Sequence, residues 1–196
     1  MPTDIYKTPD AQITPEVPDN EEAYYVVSGK KFLVLFISTL GIYKVYWFYK
    51  QWQLYRDHYS SKVWPVPRAI FSIFFTHQLF REVEHSLGEK QLKYSWNPAS
   101  IATLYVVFTI VESITSRLSQ KEIGEPITDI ISTLVLPIIA WSLYEGQLAM
   151  NLACGDPQGH SNSQFTPLNY LWILLGSVVW LLVLVGLYDV IWGFNW

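Results

Sequence analysis

The sequence has few charged residues, and what it lacks excludes several classes of protein. Lys, Arg, Asp and Glu make up 15% of the 196 residues, whereas soluble domains average about 25%. No Lys or Arg follows Lys121, and no basic face suited to nucleic acid can be identified. Cys154 is the single cysteine, which excludes an intrachain disulfide framework.

Motifs that carry catalysis or bind cofactors are also missing. The four histidines are scattered, without the His-x-x-x-His or Cys/His spacing that predicts a metal site. The phosphate-loop pattern Gly-x-x-x-x-Gly-Lys is absent, and no Ser/His/Asp set can be assigned. We therefore predict no enzyme activity, no metal and no cofactor.

Apolar and aromatic residues are abundant instead. The chain is 51% hydrophobic and 16% aromatic, and several mostly apolar runs approach the length of a membrane helix. A soluble helical protein with an unusually apolar core is the disfavoured alternative. The sequence predicts an all-α, polytopic membrane protein with about four to five membrane-inserted helices in one domain, residues 24–196. The predicted segments are about 31–50, 66–81, 100–117, 127–145 and 169–188.

The first of these segments contains its own interruption. Gly41 lies in its middle, Lys44 follows, and a dense aromatic run comes next. This pattern predicts an element that is broken at Gly41, and a re-entrant hairpin with both ends on one side of the membrane. Aromatic rings concentrate at the membrane–water boundary. The interface aromatics predicted on this basis are Tyr43, Tyr46, Trp47 and Trp52.

Residues 1–23 differ from the rest of the chain. Four prolines and six acidic residues fall within the first 22 positions, with few large apolar side chains. Such a composition buries too little surface to offset the entropy of ordering, and it predicts a disordered acidic tail. A basic region followed by an apolar run is lacking, so no cleavable signal peptide is expected.

A motif in the first segment resembles a known family. Residues 39–50 read TLGIYKVYWFYK, followed by Trp52 and preceded by YYVVS at residues 24–28 and Lys-Phe at 31–32. This Thr-x-Gly-x-Tyr-x-x-Tyr-Trp-Phe-Tyr-Lys signature resembles that of small bacterial multi-spanning membrane proteins in a family of unknown function. The resemblance implies a helical protein of the inner membrane, and it implies no activity.

The distribution of Lys and Arg bears on orientation, because cytoplasmic loops carry an excess of both. If the first segment is re-entrant and 66–81 crosses, nine of these residues face the cytoplasm and three face the other side. If both early segments turn back, the count is ten against two, and if all five cross it is six against six. The bias favours at least one early segment that does not cross, and we expect about four crossings.

Three ionisable residues are predicted at membrane depth: Lys44, His77 and Glu112. Each such group costs about 2.5–3.5 kcal/mol on insertion scales, which makes it a candidate for function. If the side chains face inward, Glu112 is expected to pair with Lys44 or His77. The structural alternative is that Lys44 and Glu112 extend toward headgroups while His77 lies at an interface. Asp129, at a predicted helix start, is expected to interact with the helix dipole.

These observations favour a non-enzymatic integral protein of the bacterial inner membrane that acts as an accessory, scaffold or partner-binding component. Its expected partners are the lipid bilayer and either another membrane protein or a second copy of the chain. The alternative is a small transporter or channel that uses the three intramembrane ionisable residues. An enzyme acting on lipid is disfavoured, because no nucleophile–base pair can be named.

Overall fold

The computed structural model describes residues 22–192, and every regular element in this range is a helix. All but the last two residues of the predicted disordered tail, 1–23, lie outside the described range. The helices are α1 (Gly29–Ser38), α2 (Tyr43–His58), α3 (Pro65–Ile70), α4 (Ser72–Glu89), α5 (Pro98–Ser119), α6 (Ile127–Leu134), α7 (Leu136–Ala153), a 3-10 turn (His160–Asn162) and α8 (Pro167–Trp192).

The first two helices form a hairpin around the predicted break. Between them, Leu40 and Gly41 both adopt the left-handed conformation, with φ of 50° and 79°. This conformation ends α1 and is one that glycine adopts without a steric penalty. The chain reverses here, because Gln51 of α2 hydrogen-bonds the backbone of Tyr25, which precedes α1. The break predicted at Gly41 is confirmed.

Two helices, α3 and α4, replace the single segment predicted at about 66–81. Pro65 and a second proline open α3, and the helical backbone is interrupted at Phe71 before α4 begins. α4 then continues to Glu89, beyond the predicted end. It runs antiparallel to α5, since His77 lies opposite Thr103 of that helix with the side chains 3.0 Å apart.

Within residues 22–192, three helical stretches are long and apolar enough to cross a membrane: Pro98–Ser119, Ile127–Ala153 and Pro167–Asp189, with 22, 27 and 23 residues. The second comprises α6 and α7, which join at Val135, two residues before Pro137. These stretches correspond to the last three predicted segments. The all-α fold class is confirmed, and the α1–α2 hairpin together with the α3–α4 pair is consistent with four to five inserted helices.

Three of the connections between helices, together with the segment that precedes α1, lie at one end of the molecule. Ser28 N–H donates to the carbonyl oxygen of Asn162 over 3.3 Å, and Lys90 Nζ donates to that of Ala153 over 2.6 Å. This end, called the loop face below, holds residues 22–28, 59–64, 90–97 and 154–166, since Tyr59 and Tyr24 both contact Ser86 through their hydroxyls. The connection between α5 and α6 and the C-terminal end of α8 lie at the opposite end.

The last helix, α8, is attached to the rest of the protein along one short stretch. Only 6% of its apolar window is buried. Gly176 lies directly against the backbone of α1, and Trp180 Nε1 donates to the carbonyl oxygen of Ile37 over 2.7 Å. Most of its remaining apolar side chains are exposed, as expected for a helix surrounded by lipid.

Candidate functional site

Lys44 and Glu112, two of the three predicted intramembrane ionisable residues, lie near each other. Lys44 is in the first turn of α2, just after the hairpin turn, and Glu112 is on α5. Their charges interact without a direct ion pair. His77 is exposed and contacts Thr103, which is nine residues from Glu112 along α5, or about 13 Å. The structure therefore brings Lys44 and Glu112 together and leaves His77 apart.

A cavity of about 450 Å³ lies between α5, α6 and α8. Leu40, at the tip of the α1–α2 hairpin, bounds it on the side of the loop face, and Trp180 of α8 forms part of its apolar wall. Two carboxylates and four hydroxyls form its polar lining. These residues are Glu112, Ser116, Ser119, Asp129, Ser132 and Thr133. We call this space the acidic cavity.

Asp129 carries an unpaired atom in the acidic cavity. Its Oδ1 accepts a hydrogen bond from Ser119 Oγ, whereas its Oδ2 is buried and has no hydrogen-bond partner. Asp129 lies in the first turn of α6, as predicted. An interaction with the helix dipole does not, however, give its buried Oδ2 a hydrogen-bond partner. A buried carboxylate oxygen is unfavourable unless a proton, a cation or a donor satisfies it. The acidic cavity therefore has the chemistry of a proton- or cation-binding site.

The four aromatic residues predicted at the membrane interface divide into two pairs. Tyr46 is 47% exposed and Tyr43 is partly buried. Trp47 and Trp52 are fully buried, which corrects the interface prediction for these two residues. The reason is that α2 folds back into the protein: the Trp47 indole donates to a buried glutamine of α7, and the Arg68 guanidinium lies 4.2 Å from the centroid of the Trp52 ring.

Amide side chains of α2 and α7 hold an extended segment, residues 24–28, between the two helices. Gln51 Oε1 accepts from Tyr25 N–H over 2.9 Å, and its Nε2 donates to the Tyr25 carbonyl oxygen over 3.2 Å. Asn151 does the same at Val27, over 3.3 and 2.9 Å. Gln147 connects the two, since its Nε2 donates to Asn151 Oδ1 over 2.7 Å and to the Tyr25 carbonyl over 3.0 Å. We call these three side chains the amide clamp.

The amide clamp has a structural role. All three side chains are fully buried, and their hydrogen bonds replace those that a neighbouring strand would provide. Sequence reasoning missed it, because the polar composition after Tyr144 predicts a loop, whereas α7 continues to Ala153. The four-residue spacing of Gln147 and Asn151, which places both on one helix face, was the available signal.

The described residues contain no group of three or more His, Cys, Asp or Glu side chains that could hold a metal ion. Cys154, at the end of α7, lies 3.6 Å through its Sγ from the Tyr24 carbonyl oxygen. Burial raises the pKa of the Cys154 thiol to about 11. A thiol that stays protonated at neutral pH is a poor nucleophile.

The described part of the chain contains three helices able to cross a membrane, with a polar cavity between them, and these features define the class as a helical membrane protein. Comparison of the chain with protein-family models, with curated proteins and with solved structures finds no match. Membership of the bacterial family that the Thr-x-Gly-x-Tyr signature suggests therefore stays a prediction.

Proposed function

We propose that this protein is a non-catalytic integral membrane protein that conducts protons or small cations through the acidic cavity. The supporting observation is the buried, unpaired Oδ2 of Asp129, in a space that also holds Glu112 and four hydroxyls. Carboxylates at membrane depth are costly and are usually associated with ion or proton pathways. Lys44, in the first turn after the hairpin tip, adds a positive charge close enough to interact with that of Glu112.

We also propose that the membrane is the bacterial inner membrane, with the loop face in the cytoplasm. In this arrangement the α1–α2 and α3–α4 hairpins enter from the loop face and return to it. Support comes from Ser86 near the end of α4, whose Oγ contacts the hydroxyls of both Tyr24, before α1, and Tyr59, after α2. The start of the first hairpin, its end and the end of the second therefore lie together at the loop face. Ten Lys and Arg residues then lie on the cytoplasmic side, and only Arg117 and Lys121 lie on the other.

Cysteine labelling tests this arrangement. Ser60→Cys and Ser161→Cys replace exposed residues at the loop face, and Gln120→Cys replaces an exposed residue at the opposite end. With a membrane-impermeant maleimide at pH 7, the first two should react from the cytoplasm and the third from the periplasm. Cys154 should stay silent because its pKa of about 11 keeps it protonated at this pH. Reaction of the first two from opposite sides would show that a segment between residues 60 and 97 crosses.

Proton flux into vesicles tests the acidic cavity. Purified protein is reconstituted into vesicles that contain a pH indicator, and a pH step is applied outside. The wild-type protein should dissipate the gradient faster than empty vesicles. Glu112→Gln and Asp129→Asn should each lower the rate about tenfold, because each removes a titrating group from the cavity. A gradient of sodium chloride or potassium chloride across the same vesicles tests whether the protein also conducts those cations.

The matched control is Glu125→Gln, an identical change at an exposed carboxylate outside the cavity. It should conduct as the wild type does, and melting temperatures in detergent should verify that all variants are folded. Equal rates for wild-type vesicles and empty vesicles under every gradient would contradict the proposal.

An accessory or scaffold role is the second candidate, and the amide clamp favours it. By fixing residues 24–28, the clamp fixes the point at which the acidic tail leaves the folded domain at the loop face. The six acidic residues of the tail could then meet a basic surface on another membrane protein. Absent flux together with a stoichiometric partner that copurifies in mild detergent would select this candidate.

A further inference from the structure

A second cavity, of about 420 Å³, lies beside the α1–α2 hairpin near the loop face. It is lined by α1, α2, the 3-10 turn and the first turns of α8, together with Tyr25 of the extended segment. None of its lining residues belongs to the acidic cavity. A ligand that binds here would therefore do so independently of the proposed conduction.

Lys31 places a buried positive charge in the wall of this second cavity. The residue is 3% exposed, and its Nζ donates to Asn162 Oδ1 over 2.7 Å and to the carbonyl oxygen of Gln164 over 2.6 Å. Both acceptors are neutral, and no carboxylate among residues 22–192 forms an ion pair with Lys31. Burial lowers its pKa. An anion in the cavity would offset the cost of burying this charge.

Two tyrosine hydroxyls add hydrogen-bonding groups to the same cavity. The hydroxyl of Tyr43 is buried and makes no hydrogen bond of ordinary geometry, although Tyr25 is its neighbour. The hydroxyl of Tyr25 accepts from Asn162 Nδ2 over 2.9 Å, which leaves its own proton available. With the third N–H of Lys31, these hydroxyls give the cavity a cluster of donors, and no carboxylate lines it. Such a set suits an acidic headgroup, because hydrogen bonds to an ionised acceptor are the strong ones.

Part of the wall is apolar and continues onto the outer surface of the helices. Ile42, Leu168 and Trp172 line the cavity and are 68%, 60% and 49% exposed. Leu168 and Trp172 are four residues apart and so lie on the same face of α8. An apolar chain that leaves the cavity along this face would pass directly into the lipid around α8.

We propose that the second cavity binds an anionic amphiphile. Its acidic headgroup is held by Lys31, Tyr25 and Tyr43, and its acyl chain leaves along Leu168 and Trp172. A membrane lipid such as phosphatidylglycerol and a free fatty acid share this chemistry, and a fatty alcohol of the same length lacks the charge. Binding measurements with each of them distinguish phosphatidylglycerol from the fatty acid as the ligand. The fatty alcohol tests whether the negative charge is needed.

Lipid titration followed by native mass spectrometry tests the proposal on the delipidated full-length protein in detergent. Oleate, phosphatidylglycerol and oleyl alcohol are added separately, and the fraction with one bound molecule gives each affinity. Lys31→Met should weaken binding of the preferred acid at least tenfold. Lys30→Met, the same change at the exposed neighbouring lysine, should leave it within twofold of wild type. Whichever acid binds at one site identifies the source of the ligand.

Tyr43→Phe provides a second variant that does not depend on the fate of Lys31. Because the Tyr43 hydroxyl makes no hydrogen bond of ordinary geometry, its removal should leave the melting temperature nearly unchanged while weakening binding about threefold. Three results would overturn the proposal: oleyl alcohol binding as tightly as the acids, equal affinities for the Lys30→Met and Lys31→Met proteins, or an unchanged affinity in Tyr43→Phe.

Discussion

Gln51→Leu should lower the melting temperature of the detergent-solubilised protein more than any other single amide replacement on α2. The change removes both hydrogen bonds to the backbone of Tyr25 and a third, over 3.3 Å, to Gln147 Oε1. Tyr25 N–H is then left buried without an acceptor. Stranding a buried polar group costs about 1–3 kcal/mol, so the loss of two or more partners predicts a destabilisation of about 3 kcal/mol.

Gln53→Leu is the matched control for this prediction. Gln53 lies two residues further along α2 and is only partly buried, and its side-chain oxygen accepts one hydrogen bond, from Lys50 Nζ over 3.1 Å. Its replacement should change the free energy of unfolding by less than about 0.5 kcal/mol, as is usual for surface positions. Equal melting temperatures for the two variants would mean that the amide clamp does not hold the extended segment.

Gly176→Val should separate α8 from α1. A Cβ added at Gly176 would overlap the carbonyl oxygen of Ser38, which is backbone and cannot move aside as a side chain could. Close backbone approach through small residues is a main source of helix association in membranes. The contact is also the main attachment of α8, so we expect a loss of about 3 kcal/mol, at the upper end of the usual cost of overpacking.

Gly186→Val is the control for that prediction, because no atom lies within 4 Å of a Cβ added at Gly186. Thermal melting in detergent should give a near-wild-type value for Gly186→Val and a lower one for Gly176→Val. The fluorescence of Trp180 should also change in Gly176→Val alone, as its hydrogen bond to Ile37 is lost. Identical melting temperatures and fluorescence for the two variants would mean that the close approach at Gly176 does not hold α8 against α1.

Features that depend on local sequence could be predicted, and the positions of the helices show this. The last three of the five predicted segments correspond to the three described helical stretches that are able to cross a membrane, and Gly41 marks the hairpin turn. The sequence also identified Lys44, His77 and Glu112 as ionisable groups within apolar surroundings, but it left open which of them lie close together. In each of these cases the signal lies within one segment of the chain.

Features that depend on distant partners could not be predicted. Asn151 acquires its role from Val27, 124 residues earlier, and by composition alone it belongs to a polar loop. Trp47 and Trp52 have the composition of interface residues, and only the folding of α3 and α4 over α2 places them in the core. Asp129 likewise satisfies the description of a helix-start carboxylate until α5 and α8 enclose it.

The amide clamp also has a consequence for biosynthesis. The extended segment leaves the ribosome early, yet two of the three side chains that hold it belong to α7 and are translated more than 120 residues later. Until then, Tyr25 can bond only Gln51 of the clamp, and the backbone groups of Val27 have only water or a chaperone to bind. Final docking of the N-terminal hairpin must therefore follow insertion of the second membrane-crossing helix, so the order in which the fold is completed differs from the order of synthesis.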